Sequence, residues 1–521
     1  LLQCICQSPQ QLQVPVHQFL TRKDISTPAS SDLLSELAKE IFNHSVSAVM
    51  PDHLVKKTIQ RCGNQLIQGN QSFNLNLNVF VVGFGKAVCG MCRAVQDLVG
   101  DHIVGGVLSV PHGIIHDLKA NNKSHLLPLN DGKIEVLEGA RYNTPDQASF
   151  ASTQKIIKLC KEAKESDLIL SLVTGGGSAL LNSPIHPITI SDMCNVVKLL
   201  TEKGATIQDM NIVRQQISQV KGGKLAQMST PATMWSLILS DIIGDPLHLI
   251  ASGPTVPTSN TCTDAMAVVE KYGLSNMLPQ SVQLVLNDGL RTTPEKVLGT
   301  PNIDNILVGN NIIAVEAACA KAQEFGCTTL VLSSAVQGEA KDIGTSFMKM
   351  ASAITKLVLE PENRLNTEHE IKELLKTILP EESIQKFIED VKDVVSFDNP
   401  VCIIGAGEST VNLSKQHGKG GRNQEMTLSA LVELQDLFQH MSGVNVCFLS
   451  AGTDGQDGPT DAAGAVFSTL DYSDIDIVIA KEHLIRHDSY NFFKHHYKEL
   501  VTCGMTGTNV MDIHILLLSR S

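Results

Sequence analysis

Six glycine-rich segments carry the side chains of this 521-residue chain that could do chemistry. In VVGFGKAVCGM (81–91), Gly83 and Gly85 flank a phenylalanine and Lys86 follows directly. An apolar run leads in and a helical pattern leads out. Glycines let backbone N–H groups approach an anion there, and Lys86 supplies charge. Two common phosphate fingerprints are incomplete: a dinucleotide loop needs glycine where Val88 stands, and a Walker loop needs Ser or Thr where Ala87 stands. The segment is therefore either an anion turn or a tight strand-to-helix turn with a solvated lysine. In LVTGGGSALL (172–181), Gly175, Gly176 and Gly177 lie between Thr174 and Ser178. Three consecutive glycines are entropically costly for a plain turn, which favours an anion cradle.

The other four segments add acids, an arginine and neutral donors. SLILSDIIGDP (236–246) places Asp241 at the end of an apolar run, where a carboxylate can hold Mg²⁺, orient a hydroxyl or cap a turn. GAGEST and GKGGRNQE supply Glu408, then Gly420 and Gly421 before Arg422 and Asn423. A guanidinium on a glycine loop presents forked donors to phosphoryl oxygens. AGTDGQDGPTDAAGA (451–465) brings Thr453, Asp454, Asp457 and Asp461 together. It departs from a calcium loop because Gln456 stands where an acid is needed. GMTGTNVMD (504–512) offers Thr506, Thr508 and Asn509. Anion-type turns, two cations and acids at strand ends are the components of phosphoryl transfer.

These turns need a scaffold. Apolar runs at 79–82, 168–173, 236–240, 305–308, 329–333, 401–405 and 445–450 read as buried strands. Helical stretches such as 146–164, 191–203 and 311–325 lie between them. The alternation predicts an α/β protein of two domains with mainly parallel, helix-covered sheets. The expected division is a tail over 1–30, a Rossmann-like domain over 31–290 and a second α/β domain over 291–521. The tail reads as unstructured or as a presequence remnant. The charged stretch 359–398 reads as a solvated helical insertion.

The net charge of −13 argues against a general nucleic-acid binder. No apolar run is long enough for a transmembrane helix. Thirteen scattered cysteines fit a reducing compartment better than a disulfide framework. Cys89 and Cys92 form a lone CxxC in a predicted helix, and His112 and His116 lack the glutamate of a metalloprotease motif.

From about Val79 to Ile513 the motifs VGFGKAVCGM, GGGSALL, KGGKLA, LSDIIGDP, ASGPTVP, GRNQE, GTDGQDGPTDAAGA and TGTNV follow one family order. In this the chain resembles the class II glycerate kinases with a C-terminal MOFRL-type domain, especially the animal members. The resemblance implies an active site in an interdomain cleft. It also implies ATP-dependent phosphorylation of D-glycerate with Mg²⁺, most simply to 2-phosphoglycerate, with Lys86 and Arg422 catalytic. Asp241 is then a base or a Mg²⁺ ligand and Asp454 a second ligand. Gly83, Gly85, Thr174–Ser178, Glu408, Gly420, Gly421, Asn423, Thr453, Thr506, Thr508 and Asn509 would bind substrate or nucleotide. Which loop takes ATP is left open, as is oligomeric state. The cytoplasm or mitochondrial matrix is the expected compartment. The chain departs from bacterial relatives at Gln215, at Ala140–Asp146 and at Gly405–Glu408. An NAD(P)-dependent hydroxyacid oxidoreductase and a non-enzymatic anion or nucleotide sensor are the alternatives. Removing Arg422 is expected to cost about 10³–10⁵ in turnover while leaving the fold intact.

Overall fold

The computed structural model describes residues 33–291, 302–360, 364–394, 396–437, 441–470 and 475–521. The expected tail over 1–30 lies outside them. The chain divides into two compact units. The first comprises Val46–Ile313 and Cys503–Met511, and the second comprises 33–45, Ala314–Thr502 and Asp512–Ser521.

The first unit opens with a small antiparallel sheet of β1 (Ile59–Cys62), β2 (Gln65–Gln68) and β3 (Gln71–Asn74). Its main sheet contains β4 (Val79–Phe84), β5 (Ile103–Pro111), β6 (Ile134–Gly139), β7 (Leu168–Val173), β8 (Thr233–Leu239) and β9 (Asn302–Gly309). All six strands are parallel, in the order β6-β5-β4-β7-β8-β9. LILSLV of β7 is buried at all six positions, as a central parallel strand covered on both faces must be. Strand β9 joins this sheet by pairing with β8, which is why the first unit extends to Ile313, beyond the expected division at residue 290. The order reverses around β4: β5 and β6 lie on one side of it, β7 to β9 on the other. Ligands of open α/β sheets bind beyond the strand carboxyl ends at such a reversal.

The second unit is built on β10 (Thr328–Glu339), β11 (Val401–Thr410), β12 (Val444–Gly452), β13 (Gly464–Ser468), β14 (Leu500–Val501) and β15 (Asp512–Arg520). Their order is β10-β11-β15-β12-β13-β14. This sheet is mixed, not mainly parallel: β10 and β11 are its one parallel pairing among the described residues, because β15 inserts antiparallel between β11 and β12. The insertion also needs correcting. Residues 359–398 are helical over Arg364–Leu375 and Glu381–Val391, but they are not merely solvated. Ile371, Leu375, Ile378, Ile384, Phe387 and Val391 recur at helical spacing and pack into the core with Phe347 and Ile354.

Candidate active site

In the first unit, the turns after β4 and β7 interlock at the sheet reversal. Lys86 N–H donates to the Gly175 carbonyl at 2.9 Å, and Ala87 N–H donates to Thr174 Oγ1 at 3.1 Å. Gly85 adopts φ +142°, and a Cβ there would collide with Thr174. Glycine is thus required for the close approach of the two turns. The Lys86 stem passes over Gly176: its Cγ lies 3.5 Å from where a Gly176 Cβ would stand. At Gly175 a Cβ would collide with the Asp241 carboxylate, which follows the end of β8. Asn509 Nδ2 donates to Asp241 Oδ2 at 3.4 Å. Four segments singled out in the sequence therefore form one constellation of Lys86, Thr174–Ser178, Asp241 and Asn509.

The two threonines beside Asn509 are anchors. Thr508 Oγ1 donates to the Val49 carbonyl at 2.6 Å, and Thr506 Oγ1 accepts from Thr508 N–H at 3.3 Å. Asn143 belongs to the constellation although its sequence gave no catalytic signal. Its Oδ1 lies 3.6 Å from the Gly176 Cβ position. It sits in a turn where Ala140, Tyr142 and Asn143 have φ of 51°, 56° and 56°. Three left-handed non-glycine residues in four positions store strain, and such strain gathers at functional sites.

In the second unit Arg422 opens the Arg422–Leu437 helix. Its Nε and Nη2 reach the two oxygens of Asp512 at 2.5 and 2.9 Å, and Nη1 lies 3.0 Å from Glu408 Oε1. Asp512 is fully buried and starts β15 opposite Gly407 of β11 and Gly452 of β12. Burial opposes the charge of Arg422, but the two carboxylates outweigh it and hold the guanidinium firmly cationic. The expectation that Arg422 can be removed with the fold intact therefore needs revision. Its loss leaves a buried carboxylate unpaired, which costs about 3–5 kcal/mol.

The neighbouring glycines are not an open loop. Gly418 and Gly420 pack on Asp488 and Ser489, and Gly421 packs on Asp457. Asp457 is buried and accepts from the N–H groups of Asn423 at 3.1 Å and Gln424 at 2.9 Å, capping the Arg422 helix. Burial, opposed by these hydrogen bonds, pushes its carboxyl up to about 7. Asn423 faces inward, donating to Asp457 and accepting from Ser450 Oγ at 2.6 Å. Ser450 in turn lies 2.9 Å from His514 Nδ1. Thr453 is buried. Asp454 accepts from Gln456 N–H at 3.0 Å, which is turn chemistry.

Comparison with known proteins decides the family. Residues 37–287 match the model of a domain of unknown function, DUF4147, and residues 401–512 match the MOFRL family. Glycerate kinase from Mus musculus is 38% identical over 520 residues, covering 97% of each chain. The chain belongs to the glycerate kinase family. Glycerate 2-kinase from Pyrococcus horikoshii is 31% identical over 93% of this chain and 98% of its own. The crystal structure of a Thermotoga maritima glycerate kinase superposes with a TM-score of 0.70 at 31% identity, covering 93% of this chain and 99% of that one.

The protein is thus an enzyme of the kinase class. In this kinase no group of three or more His, Cys, Asp or Glu side chains capable of holding a metal occurs among the described residues. Mg²⁺ in phosphoryl transfer is commonly held by one or two carboxylates together with substrate phosphates. The Asp241 carboxylate against Gly175 is one such group. The Asp454 and Asp512 carboxylates, each 3.3 Å from the position of a Gly452 Cβ, are another. The CxxC cysteines are buried in their helix, and burial pushes both thiols well up, so neither is reactive.

Proposed function

We propose that this kinase transfers the γ-phosphoryl group of ATP to D-glycerate and releases 2-phosphoglycerate and ADP. The observation that carries the reading is the interlock of the Lys86 turn with the Thr174–Ser178 turn at the sheet reversal. It places a cation, backbone donors and the Asp241 carboxylate together. The names of the Mus musculus and Pyrococcus horikoshii relatives support the substrate and the position phosphorylated.

In the reaction, a glycerate hydroxyl oxygen bonds to the γ-phosphorus as the bond from that phosphorus to the β-phosphate bridging oxygen breaks. ADP carries away the electron pair. Lys86 neutralises charge gathering on the transferring group, and Arg422 is the second cation the transfer requires. Both are worth most in surroundings shielded from water. The Thr174–Ser178 turn binds anionic oxygens through its backbone. Asp241 accepts the hydroxyl proton or holds Mg²⁺, and Asp454 is the candidate second metal ligand. When bound, the ion would offset the charge of the phosphates.

A coupled ADP-release assay with D-glycerate, L-glycerate and hydroxypyruvate, followed by phosphorus NMR of the product, tests this reading. ADP release with D-glycerate and a phosphate on the 2-oxygen are expected. Oxidation of NAD(P)H by hydroxypyruvate without ATP, or no ADP release with D-glycerate, would overturn it.

A further inference from the structure

Behind the Thr174–Ser178 turn lies a group of cations that the proposed transfer does not use. Lys221 is buried, and its Nζ donates to the carbonyls of Ser178 at 2.9 Å and Leu181 at 3.1 Å. Lys224, partly buried, donates to the carbonyls of Gln215 at 2.6 Å and Ser218 at 2.7 Å. Arg214, also partly buried, donates to Asn211 Oδ1 at 3.4 Å. That same oxygen accepts from Ser252 Oγ at 2.9 Å, and Ser252 Oγ lies 2.9 Å from Ser178 Oγ. The network therefore ends on the side chain and the carbonyl of the residue that closes the glycine turn.

Its backbone is strained. Ala251 and Ser252 have φ of 52° and 66°, and Gly253 follows at 63°. Hydrogen bonds from Gly222 N–H to Ser252 O at 3.1 Å and from Gly223 N–H to Gly253 O at 2.7 Å hold that conformation. Holding two non-glycine residues left-handed costs on the order of 1–3 kcal/mol each, which the surroundings must offset.

The three cations share one property. Their hydrogen-bond partners are carbonyl oxygens and an amide, and no carboxylate acts on them among the described residues. Charges withdrawn from water are normally paired, because an unpaired one is costly. The turn they support has the Lys86 stem against Gly176 and the Asp241 carboxylate against Gly175.

We propose that Lys221, backed by Arg214 and Lys224, is a positioning residue whose missing counter-charge is the anionic group of the ligand bound at the Thr174–Ser178 turn. This deepens the kinase reading and rests on it. Lys221 does not touch the ligand. It fixes the carbonyls of Ser178 and Leu181, within and just after the Gly177–Leu180 turn of helix, and adds a positive field beneath the glycines. Among the charged groups around it, Arg214 comes from the Ile207–Gln216 helix and Lys224 from the Lys224–Met228 helix. Cys262 faces Lys224, and burial pushes its thiol up. Burial, and then repulsion from Arg214, pushes the Lys221 ammonium down to about 7. An anion at the turn favours the charged form, so binding above that value takes up a proton at Lys221.

The test is isothermal titration of the full-length protein at pH 8 with ADP, with D-glycerate and with inorganic phosphate. Each is measured in two buffers of different ionisation enthalpy. Proton uptake is expected with the ligand that occupies the turn. Uptake with ADP and phosphate alone identifies a phosphoryl group, and uptake with D-glycerate alone identifies the carboxylate. In Lys221→Met the uptake should vanish and the KM for that ligand should rise about tenfold, equivalent to about 1.4 kcal/mol of lost positioning and field, while the KM of the other ligand stays within about twofold. Absence of uptake with all three ligands in the wild-type protein would overturn the proposal, and this holds even if the variant fails to fold. A folded Lys221→Met that retains wild-type uptake would do the same. Failure of the kinase reading looks different: the wild-type enzyme would then release no ADP with D-glycerate.

Discussion

Lys86 and Arg422 are both cations on glycine-rich segments, yet their surroundings are opposite. Arg422 is gripped by Asp512 through two hydrogen bonds and by Glu408 through a third contact, so its orientation is fixed and much of its charge is already answered. Around Lys86 the chain supplies a glycine turn with the Asp241 carboxylate against it and, bonded to the Ser178 carbonyl, Lys221, on which no carboxylate acts among the described residues. The difference separates two tasks. On the proposed function, the first unit attracts an anion. The second holds one guanidinium at a fixed angle, where a bidentate contact gives direction more than net attraction.

The contrast can be broken or sharpened by substitution, beginning with the largest effect. Lys86→Ala should lower kcat by roughly 10³-fold, as loss of a donor to a developing anion does, with an unchanged melting temperature in calorimetry. Arg422→Lys keeps the charge but loses the fork, and should lower kcat by about 10²-fold in the same assay. Asp512→Asn should act mainly on stability. It removes the buried charge and leaves Arg422 the half-exposed Glu408 as its carboxylate partner, costing up to about 3 kcal/mol in chemical denaturation. Glu408→Gln should barely matter, because its side chain is half exposed and such pairs contribute about 1 kcal/mol or less.

The two regions should also answer pH in opposite senses. Asp457 has a folded pKa of about 7, raised from 3.8 by burial. Its contribution to stability is full below 3.8 and is lost as pH rises through 7. Lys221 is lowered from 10.5 to about 7. Its contribution is full above 10.5 and is lost as pH falls toward 7. In denaturation Asp457→Asn should gain stability relative to the wild type as pH rises from 3.8 to 7, and Lys221→Met should gain as pH falls from 10.5 to 7.

The sequence made some of this legible and hid the rest for physical reasons. Strand β7 was readable because a strand covered on both faces is continuously apolar. Strand β5 was not, since Gly105 and Gly106 interrupt it, and β6 is only partly buried at five of its six positions or exposed there. The turns around Lys86 and Gly175 were legible because glycine is demanded where backbones meet. Asp512 was missed although it left a trace, an acid opening the apolar run IHILLL. Its partner lies 90 residues away, a pairing no local pattern encodes. Asn143 was hidden because its position depends on a strained turn that spacing does not announce. Thr508 and Asn423 looked like free donors, but tertiary contacts claim them.

The most direct measurement of the central claim is a double-mutant cycle on ADP release with D-glycerate, using Lys86→Ala, Arg422→Lys and the pair. Both cations serving one transfer predicts a double variant little slower than Lys86→Ala alone, because residues that act as a unit lose their effect together. Losses that simply multiply, or a single variant with wild-type turnover, would contradict it.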